Sequence, residues 1–208
     1  LKGTEIGWSR GAAVPIEEYD SLYKQFNPAT FSADAWVSVA REAGIDLQLV
    51  KVDMTTKTIE DQGDFLAVNP KGYVPALQIA EGEVLTEGPA IVQYLADKSP
   101  GSGLVPPAGS IDRYRMQEML GYINSEIHKT YSPLFNPDTT PAVREERGTY
   151  LRKRYGLLDK RLEGRDYLFG DRFTAADAYL VTATTWATYA KLDLTQFTRL
   201  AEFQKPVA

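Results

Sequence analysis

The chain has 208 residues, enough to bury a sizeable core as one large domain or two small ones. Its 28 acidic and 23 basic side chains leave a net charge of −5, which argues against nucleic acid or an anionic membrane as partner, because either favours a basic face. With no cysteine and one histidine, His128, it excludes disulfides, thiolate nucleophiles, zinc–thiolate and iron–sulfur sites, and any multi-histidine metal site.

Residues 1–20 mix glycine, proline and charge without a period and read as an arm. Leu1 to Trp8 lack the apolar core of a secretory leader, no apolar run reaches membrane-spanning length, and a disulfide-free chain fits the cytoplasm. Leu22 to Phe26 predicts a short strand. Ser32 to Ala43 predicts a helix, with Ser32 or Thr30 as N-cap and Gly44 just past its end. Leu47 to Val52 alternates as a strand, and a short helix is expected near Ile59 to Phe65. Pro75 introduces a third strand, Glu81-Gly82 turns to a fourth around Val84, and Gly88-Pro89 opens a helix where proline's missing N–H costs little. The order βαβ then ββα is that of a thioredoxin-like α/β domain, expected over residues 21–98.

Residues 99–109, rich in proline and glycine around Leu104, read as a linker, and residues 110–208 as an all-helical domain. Ser110 caps a helix reaching about Lys129, and Thr140-Pro141 opens one reaching about Leu162. Thr174 and Asp177 form a capping box for a helix to about Tyr189, with Phe173 and Ala178 placed as a staple. A shorter helix follows near Leu194 to Phe203.

Two stretches carry chemistry: Asn69 to Leu77 (Asn-Pro-Lys-Gly-Tyr-Val-Pro-Ala-Leu) and Leu85 to Ala96 (Leu-Thr-Glu-Gly-Pro-Ala-Ile-Val-Gln-Tyr-Leu-Ala). Pro75 offers no N–H, and a cis Val74–Pro75 bond would turn the Val74 amide and carbonyl outward, where an extended peptide-like ligand can pair with them. Glu87 and the unpaired amides of the following helix start would hold that ligand's amino and carboxylate ends. The plainer reading is a hairpin with an edge proline and an ordinary capped helix.

These stretches resemble the glutathione-binding signature of the glutathione S-transferases, closest to the bacterial beta class. The resemblance runs from Leu22 to Phe203 and includes Glu126-Ile-His-Lys129, Tyr131-Ser-Pro-Leu-Phe135 and Arg172-Phe-Thr-Ala-Ala-Asp-Ala-Tyr-Leu180. It implies an enzyme that activates the glutathione thiol for addition to a hydrophobic electrophile, or a related elimination or isomerisation. The expected setting is a cytoplasmic homodimer active in detoxification, with glutathione as co-substrate. It also implies that Val74, beside Pro75, pairs with the cysteinyl part of glutathione. Glu87 and the Gly88 amide would hold the γ-glutamyl end, Lys57 the glycyl carboxylate, and Ser125 would stand where a small hydroxyl residue is expected. His128 would lie near the sulfur, with Tyr131 and Trp186 lining the pocket for the hydrophobic partner.

The departure is at the first helix, where the family places a cysteine. Here the segment is Pro28-Ala-Thr-Phe-Ser32, so either Ser32 or Phe31 takes that position, and helix register favours Ser32 as hydrogen-bond donor to the sulfur. Gly121 replaces an asparagine of the family. These losses keep open the alternative of a transferase fold repurposed to bind a hydrophobic ligand without thiol chemistry. A thiol–disulfide reductase needing a protein thiol is excluded.

Overall fold

The computed structural model describes residues 48–53, 56–60 and 63–204, so the expectations for the arm, for the Leu22 strand and for the helix carrying Phe31 and Ser32 lie outside the described residues. The chain divides into two compact units, Leu1–Leu95 and Ala96–Ala208.

In the first unit, β1 (Val52–Asp53), β2 (Thr58–Ile59) and β3 (Gly63–Asp64) form an antiparallel sheet in that order. The strand expected from Leu47 is shorter than its alternation suggested. Leu49 and Val50 are exposed, and pairing starts only where Val52 packs with Ile59 and Phe65 in a small core. The helix expected near Ile59 to Phe65 is also displaced. Ile59 is in a strand, Gly63 has φ 94°, outside the helical range, and helix α1 (Phe65–Val68) starts after it with the Asp64 carboxylate accepting from the Leu66 amide at 2.9 Å. β4 (Ala76–Ala80) and β5 (Glu83–Thr86) form the expected hairpin, turned by Glu81 and by Gly82 at φ 71°. Helix α2 (Gly88–Lys98) follows.

The second unit is helical, with α3 (Ile111–Tyr122), α4 (Lys129–Tyr131), α5 (Pro141–Arg161), α6 (Ala175–Tyr189) and α7 (Thr198–Gln204). Its helix starts follow the capping chemistry of the sequence. Ser110 Oγ accepts from the Arg113 amide at 3.2 Å, and Thr140 Oγ1 from the Val143 amide at 3.4 Å. At α6 the Asp177 carboxylate, with no exposed surface, accepts from the Leu168 amide (2.8 Å), the Thr174 amide (2.8 Å) and Thr174 Oγ1 (2.5 Å). Burial pushes the Asp177 carboxyl pKa upward while those donors pull against it. The linker joins the same corner, since the Leu104 carbonyl accepts from the Ala175 amide at 2.9 Å.

The core is built from three helical stripes, each at the spacing of one helix face. They are Met116, Leu120, Ile123 and Ile127; Leu151, Tyr155, Leu158 and Leu162; and Ala176, Leu180, Ala183 and Ala187. Arg113, almost wholly buried, makes a fork-to-fork pair with Asp97 at 2.9 and 2.5 Å and also donates to the Pro106 carbonyl. The guanidinium holds the Asp97 carboxyl below the usual carboxylate range. The sequence predicted one uninterrupted helix from Ser110 to Lys129. Instead, Ile123–His128 widens into a π-helical turn, with the Lys129 amide reaching the Asn124 carbonyl five residues back.

Candidate functional site

In the first unit the chemistry gathers around the turn that enters β4. The Asn69 side chain pins this turn, its Nδ2 donating to the Tyr73 carbonyl at 2.7 Å and its Oδ1 accepting from the Lys71 amide at 3.2 Å. Lys57, itself at φ 58°, reaches in with Nζ to the Gly72 carbonyl at 2.9 Å, two residues before Val74. The Val74–Pro75 bond is cis, Val74 is exposed, and among the described residues no backbone hydrogen bond joins Val74 to another residue.

Glu87 sits at the α2 entrance with φ 71°, a left-handed conformation that costs a non-glycine residue on the order of 1 kcal/mol or more. Its carbonyl accepts from the Ala90 and Ile91 amides, both at 3.0 Å, so the backbone starts the helix while the carboxylate points elsewhere. That exposed carboxylate holds an ammonium, Lys71 Nζ at 2.7 Å, which also donates to Thr86 Oγ1 at 2.9 Å.

In the second unit the π-helical turn carries Asn124, Ser125, Glu126 and His128. His128 Nδ1 lies 2.7 Å from the Tyr179 hydroxyl, which donates to Asn124 Oδ1 at 2.8 Å. Trp186 meets the imidazole edge-on, with centroids 4.6 Å apart and planes at 89°, and it also packs against Tyr131 and Phe135. Tyr131 has no exposed surface. Its hydroxyl bonds Tyr155 at 3.0 Å, and Tyr155 donates weakly to the Ala183 carbonyl at 3.4 Å. Burial raises the pKa of both phenols, that of Tyr155 to about 12, so neither ionises at neutral pH. On the other side of the turn, Tyr150 donates to Glu126 at 2.6 Å and Arg154 Nε lies 2.7 Å from the same carboxylate oxygen, tying the turn to α5.

Residues 31–98 match the family described as Glutathione S-transferase, N-terminal domain, and residues 122–207 match Glutathione S-transferase, C-terminal domain. The chain is 42% identical over 183 residues to the glutathione S-transferase GstA of Escherichia coli O157:H7, covering 88% of this chain and 90% of that one.

The chain belongs to the glutathione S-transferase family.

Among solved structures it is similar to a sphingomonad glutathione S-transferase complexed with glutathione, with a TM-score of 0.77, 41% identity and coverage of 81% of this chain and 84% of that one. It is also similar to the bacterial beta class glutathione S-transferase of Sphingomonas chungbukensis, with a TM-score of 0.77, 37% identity and coverage of 82% and 85%. The fold is therefore a thioredoxin-like α/β domain followed by an all-α domain, in a cysteine-free chain of this family.

Lys57, Val74, Pro75, Glu87 and Gly88 fall on the β4 entrance and the α2 start of the first unit. His128, Tyr131 and Trp186 share one aromatic cluster of the second. Ser125 is on the same turn as His128, but its hydroxyl bonds back to the Gly121 carbonyl at 3.0 Å. Sequence reasoning missed Lys71, Asn124, Phe135 and Tyr179. Helical spacing held a signal for two of them. Asn124 precedes His128 by four residues and Tyr179 precedes Trp186 by seven, so each shares a helix face with a residue already singled out. Among the described residues no group of three acidic or histidine side chains is placed to hold a metal, and no helix is long and apolar enough to cross a membrane.

Proposed function

We propose that this chain is a glutathione-dependent transferase that activates the thiol of glutathione for addition to a hydrophobic electrophile, or for a related elimination or isomerisation. The observation that carries the reading is Glu87. It spends conformational energy to stand at a helix start with its carboxylate turned outward, and that carboxylate already takes an ammonium group from Lys71 at 2.7 Å. The γ-glutamyl end of glutathione presents an ammonium beside a carboxylate. Glu87 takes the first, and the Gly88 amide at the positive end of α2 takes the second. Val74 pairs through its main chain with the cysteinyl residue, and Lys57 reaches the glycyl carboxylate. The thiol receives a hydrogen bond from Ser32. His128 serves beside the sulfur, and Trp186 and Phe31 form apolar surface for the second substrate, with Tyr131 corrected from a lining residue to a buried one packed against Trp186. Glutathione in the structure of the sphingomonad relative supports the choice of ligand.

Glu87→Ala is expected to weaken glutathione binding by about 2 kcal/mol, roughly thirtyfold, on the scale of a charge-assisted hydrogen bond. Calorimetry on wild type and variant measures it directly, and an unchanged affinity would show that the ligand lies in another orientation.

A cytoplasmic homodimer with a role in detoxification completes the reading. Light scattering at micromolar concentration is expected to give twice the 23.1 kDa of one chain, and a monomer mass would remove the dimer.

A further inference from the structure

We infer that Tyr179, with its own proton committed to Asn124, fixes the tautomer of His128 so that Nδ1 carries the proton and Nε2 is the basic nitrogen. Counting protons along the relay decides its direction. A phenol has one proton and an amide oxygen has none. Tyr179 spends its proton on Asn124 Oδ1 at 2.8 Å, so the 2.7 Å contact between Tyr179 and His128 Nδ1 is a hydrogen bond only if the imidazole donates. The opposite tautomer would set two lone pairs facing each other at that distance, next to a tyrosine that is only 9% exposed.

The parts are held from two directions. Asn124 and His128 are one residue set of the π-helical turn, and Tyr179 and Trp186 lie two turns apart on α6. The Trp186 ring, perpendicular to the imidazole with centroids 4.6 Å apart, hinders the imidazole from rotating out of the Tyr179 contact. A histidine's reactive nitrogen is chosen by the hydrogen bond at its other nitrogen, and here the relay makes that choice. Tyr179 is thus a positioning residue for His128. The consequence for turnover rests on the glutathione reading above: a fixed Nε2 lone pair is what a histidine beside a thiol needs to take its proton and hand it on.

The test uses the fact that His128 is the only histidine, so its ring nitrogens need no assignment in a 15N spectrum. Above the titration of the ring, wild type is expected to show its directly bonded proton on Nδ1. Tyr179→Phe is expected to move it to Nε2, the preference of free imidazole, whereas Asn124→Asp, an acceptor without donors, should keep it on Nδ1. A wild-type proton on Nε2 would mean the relay runs the other way, from the Asn124 amide through the hydroxyl to the ring, and would overturn the inference whatever the variants do. An Nδ1 proton that survives Tyr179→Phe would equally overturn it. In the kinetic arm Tyr179→Phe should lower kcat for conjugation roughly tenfold or more, with the KM for glutathione unchanged. An unchanged kcat would remove the positioning role. The spectrum needs no ligand, so an Nδ1 proton in a protein that conjugates nothing would sink the glutathione reading and leave the tautomer standing.

Discussion

Asp177→Ala should destabilise the second unit by about 3–5 kcal/mol, a large share of what a domain of this size has to lose. The wild-type carboxylate accepts the Leu168 amide, the Thr174 amide and the Thr174 hydroxyl, and it is completely buried. Alanine removes the acceptor and leaves two main-chain donors without the oxygen that satisfied them, in a place water does not reach. Each such donor costs about 1–3 kcal/mol, and the loss of the helix N-terminal cap adds about 1 kcal/mol. Thr174→Ala should cost less, about 1–2 kcal/mol, because the carboxylate and both amide bonds stay. Urea denaturation followed by circular dichroism reads both, and a midpoint for Asp177→Ala that implies under 1 kcal/mol would mean another group takes over the two amides.

Ser32→Ala carries the second large expected effect, on chemistry rather than stability. A free thiol has a pKa of about 8.5, so only a few per cent is thiolate at neutral pH, and lowering it by about two units contributes roughly 2.7 kcal/mol. If Ser32 opens a helix, as the sequence predicts, its hydroxyl and the amides of that helix are both donors that would stabilise the thiolate. We assign Ser32 the role of donor and not of nucleophile. His128 is the only histidine of the chain and is engaged with Tyr179. Ser32→Ala should therefore raise the pKa of bound glutathione, read as thiolate absorbance against pH, and slow conjugation by roughly ten- to a thousandfold. Ser32→Cys should introduce mixed-disulfide chemistry that the cysteine-free chain lacks. If the alanine variant kept both thiol pKa and turnover, the donor would be another residue, with Thr30 first in line.

Local chemistry was readable in the sequence wherever one or two neighbouring residues decide the outcome. Ser110 and Thr140 each mark a helix start because a short oxygen side chain can reach an amide three residues on, and each does, while at Thr174 the Asp177 carboxylate reaches back to the Thr174 amide. Glu81-Gly82 marks the hairpin because only a residue tolerant of positive φ closes so tight a turn. Where the outcome depends on packing, the pattern misled. Leu47 to Val52 reads as a strand, yet Leu49 and Val50 are exposed, and the ladder waits for Val52 and its contact with Phe65. The residues around His128 were hidden for a different reason. Tyr179 is 51 positions away, and no spacing rule links a helix to a partner across the core. Lys71 was in view within the signature stretch, but nothing local says that its ammonium will reach sixteen residues on to Glu87.

The widened turn at Ile123–His128 also bears on how the chain should be lined up with others. One extra residue in a helical turn advances the phase by about 100°, so positions before Ile123 and after His128 do not belong to one helical wheel. Up to and into the turn, Met116, Leu120, Ile123 and Ile127 keep the spacing of one α-helical face toward the core. A relative whose helix lacks the widening would match this one with a one-residue gap somewhere in the turn. An ungapped alignment through it would set His128 against its neighbour's counterpart and read a conserved chemistry as a substitution.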